Sequence, residues 1–186
     1  MPRPRKSALL PIKFPAFSMR ATATLAYIGL GSNLGNRLLI LKQAVAALAQ
    51  IPETRLLRCS SLYQSPAAEG AAGSADFFNA VAELSTNLNA HALLDELQAI
   101  ELQAGRLRPY HHAPRTLDLD ILLFGQESIT DAPRLIVPHP RLWLRDFAYK
   151  PLLELQPDLA RNQHPSSTGA TSCKIHRKNW LPLASL

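Results

Sequence analysis

The sequence is poor in the residues that staple or anchor a chain. Only two cysteines occur among 186 residues, Cys59 and Cys173. They show neither metal-ligand spacing nor a disulfide framework, which argues against a disulfide-built secreted scaffold and points to a reducing cytoplasm. Both read as plain small residues rather than reactive thiols. No apolar run approaches the ~20 residues that span a bilayer, so a soluble protein is expected. A Gly-x-x-x-x-Gly-Lys-Ser/Thr segment is also missing, which removes the P-loop route to phosphate. Internal repeats are lacking as well. What remains is 47% hydrophobic, long enough for one domain with a proper core, and gives no reason to expect two.

Acidic residues are missing from both ends. The formal charge of +6 invites a nucleic-acid reading, but its distribution weakens it. Residues 1–20 hold five basic groups, residues 161–186 hold four, and neither stretch holds an acid. The other 11 basic groups face 14 acidic ones, so the body from 21 to 160 carries about −3. In residues 1–23, Pro11, Lys13 and Pro15 interrupt any apolar h-region, so a secretory signal is not expected. That segment reads as a basic, disordered extension, with a transit peptide or a start at Met19 as alternatives. Residues 160–186 read as a polar, basic tail, loop-like from Ala160 to Ser172, which leaves 24–159 as the domain.

Between the tails the element order is legible. Thr24 to Leu30 reads as a strand, Arg37 to Gln50 as a helix, Arg55 to Tyr63 as a second strand and Phe77 to Thr86 as a third. Asn89 caps a second helix that runs from Ala90 to about Gly105, with Leu93, Leu94, Leu97, Ile100 and Glu101 at helical spacings. A last strand follows. This β-α-β-β-α-β order is that of a ferredoxin-like α+β sheet, antiparallel, with helices on one face and the other face open to ligands. Gly29, Gly31 and Gly35 resemble a dinucleotide fingerprint, but the spacing is one residue too long and a Rossmann sheet needs repeated crossovers. Their expected role is a structural turn.

The last strand, in Pro114 to Gly125, holds two carboxylates two residues apart in an apolar run. Strand alternation puts Thr116, Asp118, Asp120 and Leu122 on one face and Leu117, Leu119, Ile121 and Leu123 inward. Ionised carboxylates side by side repel each other, so the pair makes sense around a divalent cation, and oxygen-only ligands favour magnesium. A strand with a merely wet outer face is the alternative. Six arginines, Arg106, Arg108, Arg115, Arg134, Arg141 and Arg145, crowd around this strand. Guanidinium forks beside a magnesium-binding pair suit a polyphosphate.

Four segments carry a resemblance. Ala26 to Gly35 (A-Y-I-G-L-G-S-N-L-G), Asp76 to Val81 (D-F-F-N-A-V), Pro114 to Gly125 (P-R-T-L-D-L-D-I-L-L-F-G) and Val137 to Arg141 (V-P-H-P-R) resemble, in order and spacing, the folate-pathway hydroxymethyldihydropterin pyrophosphokinases. The similarity covers roughly residues 24–159. It implies transfer of the β,γ-pyrophosphoryl group of ATP to the 6-hydroxymethyl oxygen of 7,8-dihydropterin, releasing AMP. By that resemblance Asp118 and Asp120 hold two magnesium ions, and Asp118 is a candidate to orient or deprotonate the pterin hydroxyl. Arg106 and Arg115 join them at the reacting phosphates. Gln98, Glu101, Arg108, Ile121, Arg134, His139 and Arg145 would bind ATP, His139 as a hydrogen-bond donor rather than a base. The pterin would lie between Phe77 and Phe147, with Asn79 on its amide edge and Ser65 and Pro66 on the adjoining wall. Read from the residues alone, the two phenylalanines are ordinary core and Gln98 and Glu101 a solvated helix face.

The chain departs from the family pattern in its loops. Pro109 to Ala113 is one residue shorter than the pattern and has no tryptophan, Ala67 to Ala75 is alanine-rich and about one residue longer than in some relatives, and Pro140 stands where some relatives have a tyrosine. The expected partners are therefore small molecules, with no nucleic acid and no membrane, and the chain is read as a monomer. A ferredoxin-like nucleic-acid or metal-binding module is the competing class, but adjacent aspartates on the open face would repel a phosphate backbone. Deleting residues 1–18 should leave turnover and Tm nearly unchanged, because an acid-free, proline-broken segment buries little. A Tm lowered by more than about 4 °C would refute this.

Overall fold

The computed structural model describes residues 23–66, 75–105, 116–162 and 173–181. Within them the chain runs β1 (Thr24–Ser32), α1 (Arg37–Leu48), β2 (Thr54–Cys59), β3 (Leu62–Ser65), β4 (Phe77–Thr86), α2 (Ala90–Gln103) and β5 (Asp118–Phe124). A hairpin of β6 (Ile129–Asp131) and β7 (Leu135–Val137) follows, then a 3-10 turn at Leu142–Leu144, α3 (Asp146–Leu155), α4 (Leu159–Asn162) and β8 (Lys174–Arg177). The main sheet has the order β5-β1-β4-β3-β8, with β2 also on β4, and every pairing is antiparallel. Each split β-α-β unit leaves one strand's width free, and the other unit's strand fills it, which is the ferredoxin-like arrangement expected from the element order.

Both helices pack on one face. Leu41, Ala44, Val45 and Leu48 of α1 and Leu93, Leu94 and Leu97 of α2 close over Ala26, Ile28, Leu30, Ala80, Ala82, Leu84, Leu119 and Ile121. Both start at an asparagine cap, Asn36 Oδ1 accepting from the Leu39 N–H at 3.2 Å and Asn89 Oδ1 from the Ala92 N–H at 2.9 Å. Gly35, at φ +60°, turns the chain from β1 into α1 as glycine permits. Gly29 and Gly31 are not turn residues, because β1 runs on to Ser32.

Two strand details depart from the alternating pattern. The expected second strand breaks at Ser60 and Ser61, where a side chain replaces a ladder bond. Ser60 N–H donates to Val81 O at 2.9 Å, but the Val81 N–H donates to Ser60 Oγ, also at 2.9 Å. In β5 the register shifts, pairing Tyr27 with Leu123 but Ile28 with Ile121. The extra residue is a β-bulge. Leu123, expected inward, therefore joins Leu122 on the outer face, and Phe124 turns inward, 2% exposed.

The outer face is open only in part. A second cluster of Tyr27, Val81, Leu122, Leu142, Leu152 and Leu155 packs α3 against it. Polar contacts fix that helix. The buried Glu83 carboxylate pairs with Arg58 and accepts from Tyr27 OH at 3.0 Å, while Arg58 Nη2 donates to Leu155 O at 2.6 Å. A buried carboxylate costs stability unless it is paired and hydrogen-bonded, and here it is both. Burial and the Glu83 contact push the Tyr27 hydroxyl up to about 12. Glu154 accepts from Ser61 N–H at 3.1 Å, Ser61 Oγ at 2.8 Å and Tyr63 OH at 3.2 Å.

Part of the segment read as a polar tail belongs to the sheet. β8 pairs with β3, and beyond it Trp180 is 3% exposed, its indole N–H donating to the Ser60 carbonyl at 2.9 Å. Both cysteines are free, and burial pushes the Cys59 thiol up to about 12, which makes it inert. Among the described residues no helix is long and apolar enough to cross a membrane. Trp180→Ala should cost about 3 kcal/mol through the cavity and the orphaned carbonyl, lowering Tm by roughly 6–12 °C. A shift under about 2 °C in a thermal melt would show that the indole does not stabilise the sheet.

Candidate active site

The site begins with missing side chains. On the outward side of β1, Gly29 lies between Asp120 of β5 and Val81 of β4, and Gly31 between Asp118 and Asn79. A Cβ at Gly31 would meet Asn79 Oδ1 at 3.4 Å and Asp118 Cβ at 3.9 Å, and one at Gly29 would meet Leu122 Cδ2 at 3.3 Å. The two glycines thus leave a hollow in the middle of the sheet. A solvent-open cleft rises from this floor between Asp118, Asp120, Asn79, His139, Arg145 and Phe147.

One wall is rigid and polar. Asn79 is 4% exposed and its Nδ2 donates to Ser65 Oγ at 2.9 Å, a bond between neighbouring strands that orients the amide. Ser65, itself buried, precedes the exposed Pro66. Phe77 shares the strand face of Asn79 and is half-buried. Across the cleft Phe147 is half-buried on α3, with the Arg145 guanidinium 5.5 Å from its ring centroid.

The opposite wall carries the charge. Asp118 and Asp120 are both half-buried on the outer face, as the two-residue period of a strand requires. His139 is tied to β5 by its N–H, which donates to Leu122 O at 3.0 Å. Burial holds its imidazole below the ordinary 6.5, helped by Arg145 and Arg141 and opposed by Asp120 and Asp118. Its Nδ1 accepts from the Arg141 N–H at 3.2 Å, so in the neutral ring the proton sits on Nε2. A neutral imidazole in that tautomer has its Nε2 proton free to donate a hydrogen bond.

The residues expected around the nucleotide are spread more widely. Glu101 is 1% exposed rather than part of a solvated face, and its Oε1 accepts from the Leu119 N–H at 2.7 Å, binding α2 to β5. Ile121 is 3% exposed in the core under the helices, which leaves only its main chain for a ligand. Gln98 is exposed on α2, one turn from Asp95, which accepts from Arg134 Nη2 at 2.8 Å. That contact and a 2.9 Å pair between His91 and Asp131 join the β6–β7 hairpin to α2. Arg106, Arg108 and Arg115 lie outside the described residues, as do residues 67–74 and 109–113.

The floor glycines are the candidate-site positions that the sequence reading missed. A signal existed: Gly29 and Gly31 have the same two-residue spacing as Asp118 and Asp120. Two carboxylate groups on one rigid face, over a floor a methyl group would fill, fit a hard cation such as magnesium. Among the described residues no group of three or more His, Cys, Asp or Glu side chains could hold a metal. A cation here would complete its shell from water and phosphate oxygens, which is how magnesium is usually bound beside nucleotides.

Comparisons with known proteins place the chain among relatives. Residues 27–157 match the family of 7,8-dihydro-6-hydroxymethylpterin-pyrophosphokinase (HPPK). The chain is 50% identical over 133 residues to the 2-amino-4-hydroxy-6-hydroxymethyldihydropteridine pyrophosphokinase of Pseudomonas aeruginosa, covering 72% of this chain and 81% of that protein. The Bacillus subtilis enzyme of the same name is 39% identical over 154 residues, covering 83% and 91%. A crystal structure of an HPPK-DHPS in complex with substrates matches with TM-score 0.57 at 13% identity, over 74% of this chain and 40% of that longer one, a likeness of fold alone. Fold, site and matches define an ATP-dependent diphosphotransferase. The chain belongs to the 7,8-dihydro-6-hydroxymethylpterin-pyrophosphokinase family. Nothing in these matches supports the binding-module alternative.

Asn79→Ala should weaken binding of a flat amide-edged heterocycle by roughly 1–3 kcal/mol, because a buried polar edge loses its partner, and should spare ATP. Calorimetric titration with each ligand checks this. Equal losses for both would place Asn79 elsewhere in the site.

Proposed function

We propose that this chain transfers the β,γ-pyrophosphoryl group of ATP to the 6-hydroxymethyl oxygen of 7,8-dihydropterin, giving AMP and the pterin diphosphate, a step of folate biosynthesis. The observation that carries this reading is the glycine floor with Asp118 and Asp120 on one side and the oriented Asn79 amide on the other. Asp118 and Asp120 would hold two magnesium ions, which when bound neutralise phosphate charge and polarise the transferred group. Asn79 reads the amide edge of the pterin. Phe77 and Phe147 stack on its faces, and the wall of Ser65 and Pro66 limits its position.

On the phosphate side, the Nε2 proton of His139 and the guanidinium of Arg145 meet phosphate oxygens. Arg106, Arg108 and Arg115, which precede β5 in the chain, join them, while Gln98, Glu101, Arg134 and the main chain of Ile121 form the nucleotide end. The protein's contribution is mostly positioning and charge compensation, as phosphoryl transfer requires. Its substrates are small molecules, and we read the enzyme as a monomer of the cytoplasm.

AMP release from ATP, magnesium and 6-hydroxymethyl-7,8-dihydropterin tests the reaction directly. Asp118→Asn or Asp120→Asn keeps the side-chain shape but removes an anionic ligand. Turnover should fall by about 10²-fold or more, on the order of 3 kcal/mol, and half activity should need more magnesium. Folding should survive, since relieving carboxylate repulsion costs the free protein little. Near-normal kcat in both variants, or gross unfolding of either, would show that the pair is structural.

A further inference from the structure

Phe77 and Asn79 point outward, and the residues between and beside them are held from the other face of the sheet. Phe78 points inward and is 8% exposed. The His176 ring of β8 lies 4.4 Å from it at an interplanar angle of 33°, and the Arg37 guanidinium sits 4.2 Å from its centroid. Arg37 Nη1 also donates to the Asp76 carbonyl. Gln64 Nε2 donates to Asp76 Oδ2 at 2.7 Å. A carboxylate only accepts, so this bond fixes the amide orientation of Gln64 and leaves its Oε1 as acceptor for His176 Nδ1 at 3.1 Å. Asp76 and Phe78, the neighbours of Phe77 in the chain, are thus both gripped by side chains from α1, β3 and β8. The grip lies next to the last ladder pair between β3 and β4, Ser65 with Phe77, and each of those residues belongs to the proposed pterin wall.

We propose that His176 is a positioning residue for the pterin wall, acting through its stack on Phe78 and the Gln64–Asp76–Arg37 network to set the direction of Phe77 and Asn79. The inference rests on the proposed roles of those two residues and extends them to a strand outside the matched stretch 27–157. A stacking ring contributes only when its plane is held, and backbone freedom at Asp76 and Phe78 would let that plane tilt.

The test uses the full chain and four variants, His176→Ala, His176→Phe, Gln64→Ala and Phe77→Ala, titrated with 6-hydroxymethylpterin and separately with magnesium ATP. His176→Ala and Gln64→Ala should each raise the pterin Kd about fivefold, with the nucleotide Kd and the kcat at saturating pterin within about twofold of the parent. His176→Phe keeps a ring on Phe78 and should recover most of the loss. Phe77→Ala should weaken pterin binding more than any of these. Unchanged pterin affinity in His176→Ala and Gln64→Ala, with Phe77→Ala still impaired, would overturn the positioning role and leave the pterin wall standing. Pterin binding unaffected by Phe77→Ala would overturn both. Equal loss for both ligands would show a general structural effect and also overturn the proposal. Should His176→Ala fail to fold, Gln64→Ala decides the matter, because it leaves the ring over Phe78 in place and is still expected to raise the pterin Kd.

Discussion

The site depends on one constraint, the absence of side chains on the outward side of β1 at Gly29 and Gly31. β1 is a central strand, with β5 on one side and β4 on the other, so anything at those positions would stand between the aspartates and Asn79. A methyl group at Gly29 would press on Leu122 at 3.3 Å, and larger side chains would fill the cleft. Glycine in a strand costs stability through backbone entropy and lost packing, which the rest of β1 offsets with Ala26, Ile28 and Leu30 on the inner side. The same strand therefore builds the core on one face and leaves an open cleft on the other.

The outer face is divided between stability and chemistry. Its far half is covered by α3, which carries Phe147 near its first turn and is fastened at its last turn. Arg58 spans the Glu83 carboxylate and the Leu155 carbonyl, and Glu154 gathers Ser61 and Tyr63. These contacts are far along the sheet from the aspartates, yet they determine where the N-terminal end of α3, and with it Arg145 and Phe147, meets the cleft. Glu101 works in a comparable way from the inner side. By accepting from the Leu119 N–H it holds β5 between the two aspartates, so a carboxylate on the helix side of the sheet supports carboxylates on the ligand side.

Much of this was legible in the sequence because it follows from local periodicity. The spacing of Asp118 and Asp120 puts them on one strand face wherever that strand is placed, and the structure has them there. Asn89 before an apolar helical repeat signals a helix start, and it caps α2. The order of strand and helix patterns is enough to give the ferredoxin-like class. Less legible was the bulge in β5, since an alternating apolar run does not reveal where one extra residue enters, and so Leu123 and Phe124 exchanged faces. Ser60 breaks a strand by substituting its hydroxyl for a carbonyl, a competition that composition alone does not show.

By itself, then, the sequence determined which residues share a face, where helices start, and that paired aspartates sit among arginines in a body of negative charge. The periods of two and 3.6 are properties of the backbone and need no partner. Tertiary structure alone decided what faces what. Register brought Gly31 between Asp118 and Asn79, pairing across β3 turned a basic tail segment into β8 with Trp180 beneath it, and packing buried Glu101 at a position that reads as helix surface. Such neighbours are remote in the chain, and their proximity is set by strand pairing and core packing over the whole sheet, which no local pattern encodes.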